Sequence, residues 1–407
     1  MRERGFFIVA GLMESALAGK PGIPLAILYS TTGSYSTIGR EALDGALMAL
    51  AEVNADPDFG FKLVPEFGDP AGVSETYAAM AQERLKHRGC RHILGGITSW
   101  SRKDMIPVVE RHNALLWYAF LYEGYEANDH VLYLGACPNQ HIVPLFDYVL
   151  PRFGASPFLV GANYLWGWEI NRIARELVLG AGGKVAGERC LPLGSTEVDH
   201  LIDEIRATRP SFVLCNLLGP SCYAFLRAYA ELGSEDPAFA PERRPVVSCN
   251  LTEADLAEVG SGVSGQLSTS IYFASLATPE NRAFRARAAA RHDPARSLDA
   301  SFASTYAAVH VLAAAIRDAG TDDPAAVRTI VMSRRFEAPF GPLTFDSRTN
   351  HAAHRPHLAR ARADGSFEII ESAAEPVQPD PYLMRVSRRP AAAASPDSLR
   401  SRMRVVP

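Results

Sequence analysis

Residues 91–112 read RHILGGITSWSRKDMIPVVERH. An apolar run closes at Gly95 and Gly96, hydroxyl and aromatic side chains follow, and a helical pattern begins near Ser101. The stretch reads as a strand that turns sharply into a helix. Upstream, IPLAILYS (23–30) and FKLVPEF (61–67) are strands, with helices over 39–54 and 73–86 and a stop at Gly89. Downstream come the strands ALLWYAF (114–120) and VLYLGA (131–136).

A second series repeats the alternation. Helix 139–150 leads to strand PFLVGANY (157–164), helix 168–180, strand KVAGERCLPL (184–193) and helix 197–207. Strand FVLCNLL (212–218), helix 220–232 and strand PVVSCN (245–250) follow. Beyond 265 lie strand LSTSIYF (267–273), helices 279–291 and 297–317, and PLTFD (342–346) with FEIIE (367–371), read as a strand pair around a turn. Continuous apolar strands separated by amphipathic helices imply parallel sheets covered on both faces. Two series of similar size imply an α/β protein of two doubly wound, Rossmann-like lobes.

Composition agrees with a two-domain globular chain: 407 residues, 47% hydrophobic and 21% charged, with a formal net charge of −4. Interspersed charge of that sign argues against direct nucleic-acid binding, which needs a concentrated basic surface. The basic cluster Arg385, Arg388, Arg389, Arg400, Arg402 and Arg404 lies in a Pro/Ala/Ser-rich tail, read over 386–407 as a solvated end. No run reaches 18 apolar residues, so no membrane insertion is expected. Residues 1–22 carry a basic start (MRERG), the short apolar run FFIVAGLM and a small-x-small site at Ala16–Ala18. They read as an N-terminal extension or a weak signal peptide, because Glu14 follows the apolar run directly. Six cysteines without C-x-x-C pairs fit a reducing compartment better than a disulfide framework.

No nucleophile elbow, phosphate loop or H-E-x-x-H is present. GAGGKVAG (180–187) follows a helix rather than a strand and reads as a helix stop. His351, His354 and His357 share one segment, read as a solvated loop since no second cluster would complete a metal site. The expectation is a non-catalytic protein without metal or cofactor.

In open parallel sheets, small ligands bind beyond the carboxyl ends of strands. GGITSWSRK (95–103) is such an end: its glycines permit close approach, Thr98, Ser99 and Ser101 offer hydroxyls, and helix N–H groups point outward. A carbonyl oxygen or carboxylate suits that geometry. The alternative is that Ser99 or Ser101 simply caps the helix.

Residues 23–385 resemble the type I periplasmic-binding-protein family, in particular the branch of the aliphatic amidase operon's amide-sensing negative regulator and the urea and short-chain-amide receptors. The resemblance is carried by ITSWSRKDMIPVVER (97–111), LLWYAFLYEGYE (115–126), ACPNQ (136–140) and NYLWGWEIN (163–171). YFASLATPENRAF (272–284), FGPLTFDSRTNH (340–351) and PDPY (379–382) complete it. It implies an interlobe ligand cleft and crossings near 134–138, 272–275 and 344–347. Lobe 1 would be 23–136 with 275–345, and lobe 2 would be 137–274 with 346–385. Ser99 matches the family's ligand-binding serine, Tyr118 an aromatic of the same pocket, and Tyr164 the tyrosine that meets the ligand from the second lobe. Ile97, Phe120 and Trp166 stand where the amidase regulator has a tyrosine, a threonine and a tyrosine, which draws the ligand away from acetamide.

Trp166 and Trp168, read as exposed around Gly167, favour a cleft. Glu253 is read as a helix N-terminal charge, with a ligand ammonium as the alternative. Glu123 is read as holding its loop. The resemblance implies a cytoplasmic sensor of a small amide or urea-like solute that sequesters an RNA-binding antiterminator until ligand closes the lobes. The alternative is a periplasmic receptor that delivers amides, urea or branched-chain amino acids to an ABC permease. A homodimer is compatible with either.

Overall fold

The computed structural model describes residues 19–293, 296 and 298–385, and residues 403–405 as backbone. The first series is β1 (Gly22–Leu28), α1 (Ser36–Ala55), β2 (Lys62–Gly68), α2 (Ser74–His87), β3 (His92–Gly95), α3 (Ser99–Arg111), β4 (Leu115–Tyr118) and β5 (Val131–Tyr133). The second is α4 (Ile142–Phe153), β6 (Phe158–Ala162), α5 (Leu165–Gly180), β7 (Gly187–Leu191), α6 (Asp199–Thr208), β8 (Val213–Asn216), α7 (Gly219–Glu235), β9 (Val246–Ser248), α8 (Glu253–Val259) and β10 (Leu267–Ser270). Then follow α9 (Pro279–Ala289), α10 (Ala300–Ala319), α11 (Pro324–Ser333), β11 (Phe336–Ala338), β12 (Gly341–Leu343), β13 (Phe345–Asp346), β14 (His351–Ala352), β15 (His357–Ala361), β16 (Phe367–Ala373) and β17 (Met403–Val405).

Two sheets result, in the orders β13-β14-β5-β4-β3-β1-β2 and β17-β16-β15-β10-β9-β8-β6-β7. Strands β1–β5 pair in parallel, as do β6–β10, and the late strands close each sheet with antiparallel partners. Each sheet has its own core, one around Ile27, Ile93 and Leu116, the other around Leu159, Leu214 and Val247. In the first, α10 lies hard against α1: Thr305 donates to the Ala42 carbonyl at 2.8 Å. A Cβ on Gly45 would stand 2.3 Å from the Phe302 carbonyl oxygen, so this helix pair requires glycine there.

The chain passes between lobes at 134–141, 271–275 and 353–356. The third passage, expected near 344–347, comes later because β14 pairs with β5 in the first sheet. PLTFD and FEIIE do not pair with each other. Leu343 joins the β11–β12 hairpin, Phe345–Asp346 stays in the first sheet, and β16 pairs with β15 in the second. Helix α11 was not foreseen, although Asp323 caps it and Pro324 opens it. Of the tail read as solvated, 386–402 lies outside the described residues, whereas 403–405 pairs with β16. Residues 1–18, where a signal was read, lie outside them too.

The histidine segment is also unlike its reading. His351, His354 and His357 are buried, bonded to Tyr122, the Leu134 carbonyl and Ser372 respectively. Burial pushes their pKa values down to about 4, 4 and 3, which suits neutral rings fastening the third passage. Among the described residues no group of side chains could hold a metal ion.

The first passage depends on Gly135, where a Cβ would fall 1.8 Å from the Phe120 carbonyl oxygen. Gly135→Ala is therefore expected to cost upwards of about 3 kcal/mol in urea denaturation, since backbone cannot yield as a side chain would. Gly180→Ala, with nothing within 4 Å of the new methyl, is the control and should leave the midpoint unchanged or raise it.

Candidate functional site

The turn after β3 is built by Gly96, at φ +79°, where a Cβ would meet the Met105 methyl at 2.9 Å. The residue capping α3 is Thr98, not Ser99 or Ser101. Its hydroxyl accepts from the Ser101 N–H at 3.1 Å, and the Ser101 hydroxyl accepts from the Thr98 N–H at 3.0 Å. Two hydroxyls expected to meet a ligand are thus consumed in the cap. Ser99 is left as the first helical residue, and the cap leaves its N–H and that of Trp100 without intrahelical acceptors.

The Ser99 hydroxyl donates to Glu123 Oε2 at 2.6 Å. Glu123 Oε1 accepts from Arg102 Nη2 at 2.7 Å, and Arg102 Nε donates to Glu126 Oε1 at 2.7 Å. Arg102 is 0% exposed, its guanidinium 4.8 Å from the Tyr118 ring centroid and 4.6 Å from that of Tyr122. Burial alone would lower its pKa, but Glu123, Tyr118 and Glu126 hold it well above the usual value. Burial likewise opposes ionisation of Glu126, yet the charges and hydrogen bonds of Arg102 and Lys103 bring its carboxyl down to about 2. Glu123, read as a loop fastener, is the group that orients the serine.

Tyr118 donates its hydroxyl to the Ile97 carbonyl at 3.0 Å. Phe120 lies edge-on to Tyr29, with centroids 6.0 Å apart, and 6.2 Å from Tyr118. Tyr164, just before α5, faces this group from the second lobe. Its phenol pKa is raised well above the usual value by burial and by Tyr35, Glu123 and Tyr118, all of the first lobe. Ser99, Ile97, Tyr118 and Phe120 therefore lie together in the first lobe, Tyr164 faces their Tyr118 and Glu123 from the second, and Thr98 serves the helix.

The two tryptophans separate. Trp168 is exposed and bonded to Asn163 at 3.0 Å. Trp166 is buried, its Nε1 has no partner among the described residues, and its ring centroid lies 5.8 Å from that of His141. The reason is helical geometry: two residues apart, they point to different faces of α5. The lobes also touch where a Cβ on Gly219 would reach the Ser34 carbonyl at 2.9 Å, and where Arg172 stacks on Tyr125 at 4.6 Å.

Glu253 is the first residue of α8, as its helix-terminal reading required, but it is buried rather than solvated. Its Oε1 accepts from the Ala274 N–H at 2.7 Å, which ties it to the second passage rather than to Ser99, and its Oε2 has no partner among the described residues. Arg102 and His141 were missed. Arg102 follows the quoted serines in an ordinary helical charge pattern, and nothing in sequence marks it as buried.

Residues 23–388 match the family described as the periplasmic binding protein domain. The chain is 24% identical to Leu/Ile/Val-binding protein homolog 6 of Brucella abortus (strain 2308), over 79% of this chain and 82% of that one. The fold matches an ABC-transporter solute-binding protein of Rhodopseudomonas palustris HaA2 in complex with p-hydroxybenzoic acid, with TM-score 0.79, 19% identity, and coverage of 90% of this chain and 100% of that one. It also matches the branched-chain amino acid transporter substrate-binding protein of Streptococcus pneumoniae in complex with isoleucine, with TM-score 0.74, 15% identity, and coverage of 88% and 100%. These neighbours are solute-binding proteins rather than enzymes.

Burial raises the Glu253 carboxyl to about 7. Between the ordinary carboxylate value and about 7, the folded chain holds a proton that the unfolded chain releases, so this group's contribution to stability falls as pH rises through that window. Glu253→Gln keeps the acceptor for Ala274 and cannot ionise. Relative to it, the native protein should lose up to roughly 3 kcal/mol between pH 5 and pH 8. Paired melting curves check this, and a native-to-variant difference that does not move with pH would contradict the burial argument.

Proposed function

The chain belongs to the type I periplasmic binding protein family, and from that membership we propose that it is the solute receptor of an ABC transport system for a small primary amide or urea. The observation that supports this ligand is the 2.6 Å hydrogen bond from Ser99 to Glu123. A carboxylate locked to Arg102 cannot donate, so the serine does, and the Ser99 oxygen offers a ligand only lone pairs. The neighbouring N–H groups of Ser99 and Trp100 offer only donors. A primary amide or urea matches both: its N–H meets Ser99 Oγ and its carbonyl meets the helix N-terminus. A bare carboxylate would set its own lone pairs against those of the serine. Ile97 and Phe120 supply apolar wall and no hydroxyl, which suits a neutral ligand with a short apolar tail.

A second reading is a branched-chain α-amino acid, its ammonium on Ser99 Oγ and its carboxylate on the helix N–H groups. The Brucella and Streptococcus proteins' names favour it. In either case the ligand favours closed lobes by its differential affinity for them, and a permease reads the closed form. The transport names among the neighbours favour this role over an operon regulator, and it requires export.

A thermal-shift series on native protein and Ser99→Ala tests the proposal, with acetamide, butyramide, formamide, urea, leucine, isoleucine and valine. Amide or urea should raise the melting temperature with concentration, by about 2.7 kcal/mol of stability at a hundredfold excess over Kd, and Ser99→Ala should abolish the shift. Shifts with the amino acids alone would replace the first reading by the second, and no shift across the series would defeat both.

A further inference from the structure

His141 is the last residue of the first passage, directly before α4, and is 1% exposed. Its Nε2 lies 3.0 Å from the Tyr122 carbonyl oxygen. A carbonyl only accepts, so Nε2 carries the hydrogen and Nδ1 of the neutral ring is a bare acceptor. That Nδ1 is buried and has no partner among the described residues. Burial brings the ring's pKa down to about 4, so Nδ1 remains an acceptor at neutral pH.

The neighbouring Trp166 is 4% exposed, and its Nε1, a donor only, is also unpartnered. The two ring centroids are 5.8 Å apart. The Tyr122 carbonyl that holds His141 belongs to the residue before Glu123, the carboxylate that orients Ser99. A buried donor and a buried acceptor left unpaired on neighbouring rings are costly, and apolar groups would serve a plain core better.

We propose that His141 Nδ1 and Trp166 Nε1 form a second polar subsite of the cleft that selects a ligand bearing a hydroxyl in addition to its amide head. The hydroxyl hydrogen goes to His141 Nδ1, and the hydroxyl oxygen accepts from Trp166 Nε1. A carboxylate satisfies only the tryptophan and an ammonium only the histidine, so the pair excludes both. The subsite thus narrows the ligand to a hydroxy-amide. The inference rests on the amide reading given above, and His141 acts in it as a specificity-determining residue.

Calorimetric titration of the full chain with propanamide and butanamide, against 2-hydroxypropanamide, 3-hydroxypropanamide and 4-hydroxybutanamide, tests it. At least one hydroxy-amide should bind ten times or more tighter than its deoxy parent. In Trp166→Phe, which keeps an aromatic ring and loses the donor, that ratio should fall toward one, and His141→Phe should do the same. Deoxy amides that bind with every ratio near one in the native protein would overturn the subsite and leave the amide reading standing. Failure of all five compounds to bind would overturn both. A large native ratio that persists in both variants would assign the hydroxyl to other residues and overturn the subsite alone.

Discussion

The site is organised by one buried charge. Arg102 has no exposed surface, and taking a guanidinium out of water is affordable only when its hydrogens find fixed acceptors. Glu126 and Glu123 provide them for Nε and Nη2, with the rings of Tyr118 and Tyr122 alongside, while Nη1 has no partner among the described residues. Once Glu123 is held by Arg102, its second oxygen has one direction left, and that direction takes the proton of Ser99. The polarity of the serine toward any ligand is therefore decided by an arginine that faces the protein interior.

The loop carrying the two glutamates is itself pinned. A Cβ on Gly124 would stand 2.5 Å from the Pro381 carbonyl oxygen, the Tyr125 N–H donates to the same oxygen at 2.9 Å, and both residues have positive φ. Tyr125 then carries Arg172 of the second lobe on its ring. Closure, loop geometry and serine polarity are thus parts of one connected arrangement. Its other side is the set of neutral, buried histidines at and beside the first and third passages: His141 and His354, each tied to the backbone carbonyl of another segment, and His351, bonded to the Tyr122 hydroxyl.

Much of this was legible. The alternation around RHILGG and ALLWYAF sufficed for two parallel lobes, because apolar runs of strand length between amphipathic helices have few other solutions. Ser99, Tyr118 and Tyr164 were named from the family resemblance, and Tyr164 of the second lobe faces the first-lobe group that holds Tyr118 and Glu123. What failed was one local choice among three neighbouring hydroxyls, and statements that depend on partners distant in sequence. Thr98 rather than Ser99 caps the helix because the cap is a reciprocal pair with Ser101, and single-residue preferences do not distinguish the three hydroxyls. PLTFD and FEIIE were paired for their similarity as strands, yet they belong to different sheets. The histidine segment has a polar composition that resembles a loop, and its burial follows from passing between two lobes. Arg102 and His141 look unremarkable in sequence, since burial of a polar side chain is a property of its surroundings.

The central claim is that Ser99 presents an acceptor, so that the ligand's head must donate. Isosteric titration tests it most directly: propanamide against propanoate, measured by calorimetry at pH 7 on one preparation. The two differ at the head by an NH2 in place of an oxygen. The account predicts measurable binding of propanamide and none of propanoate over the same concentration range. Propanoate binding as tightly as the amide, or more tightly, would mean that the Ser99 hydroxyl donates to ligand and that Glu123 does not fix its direction.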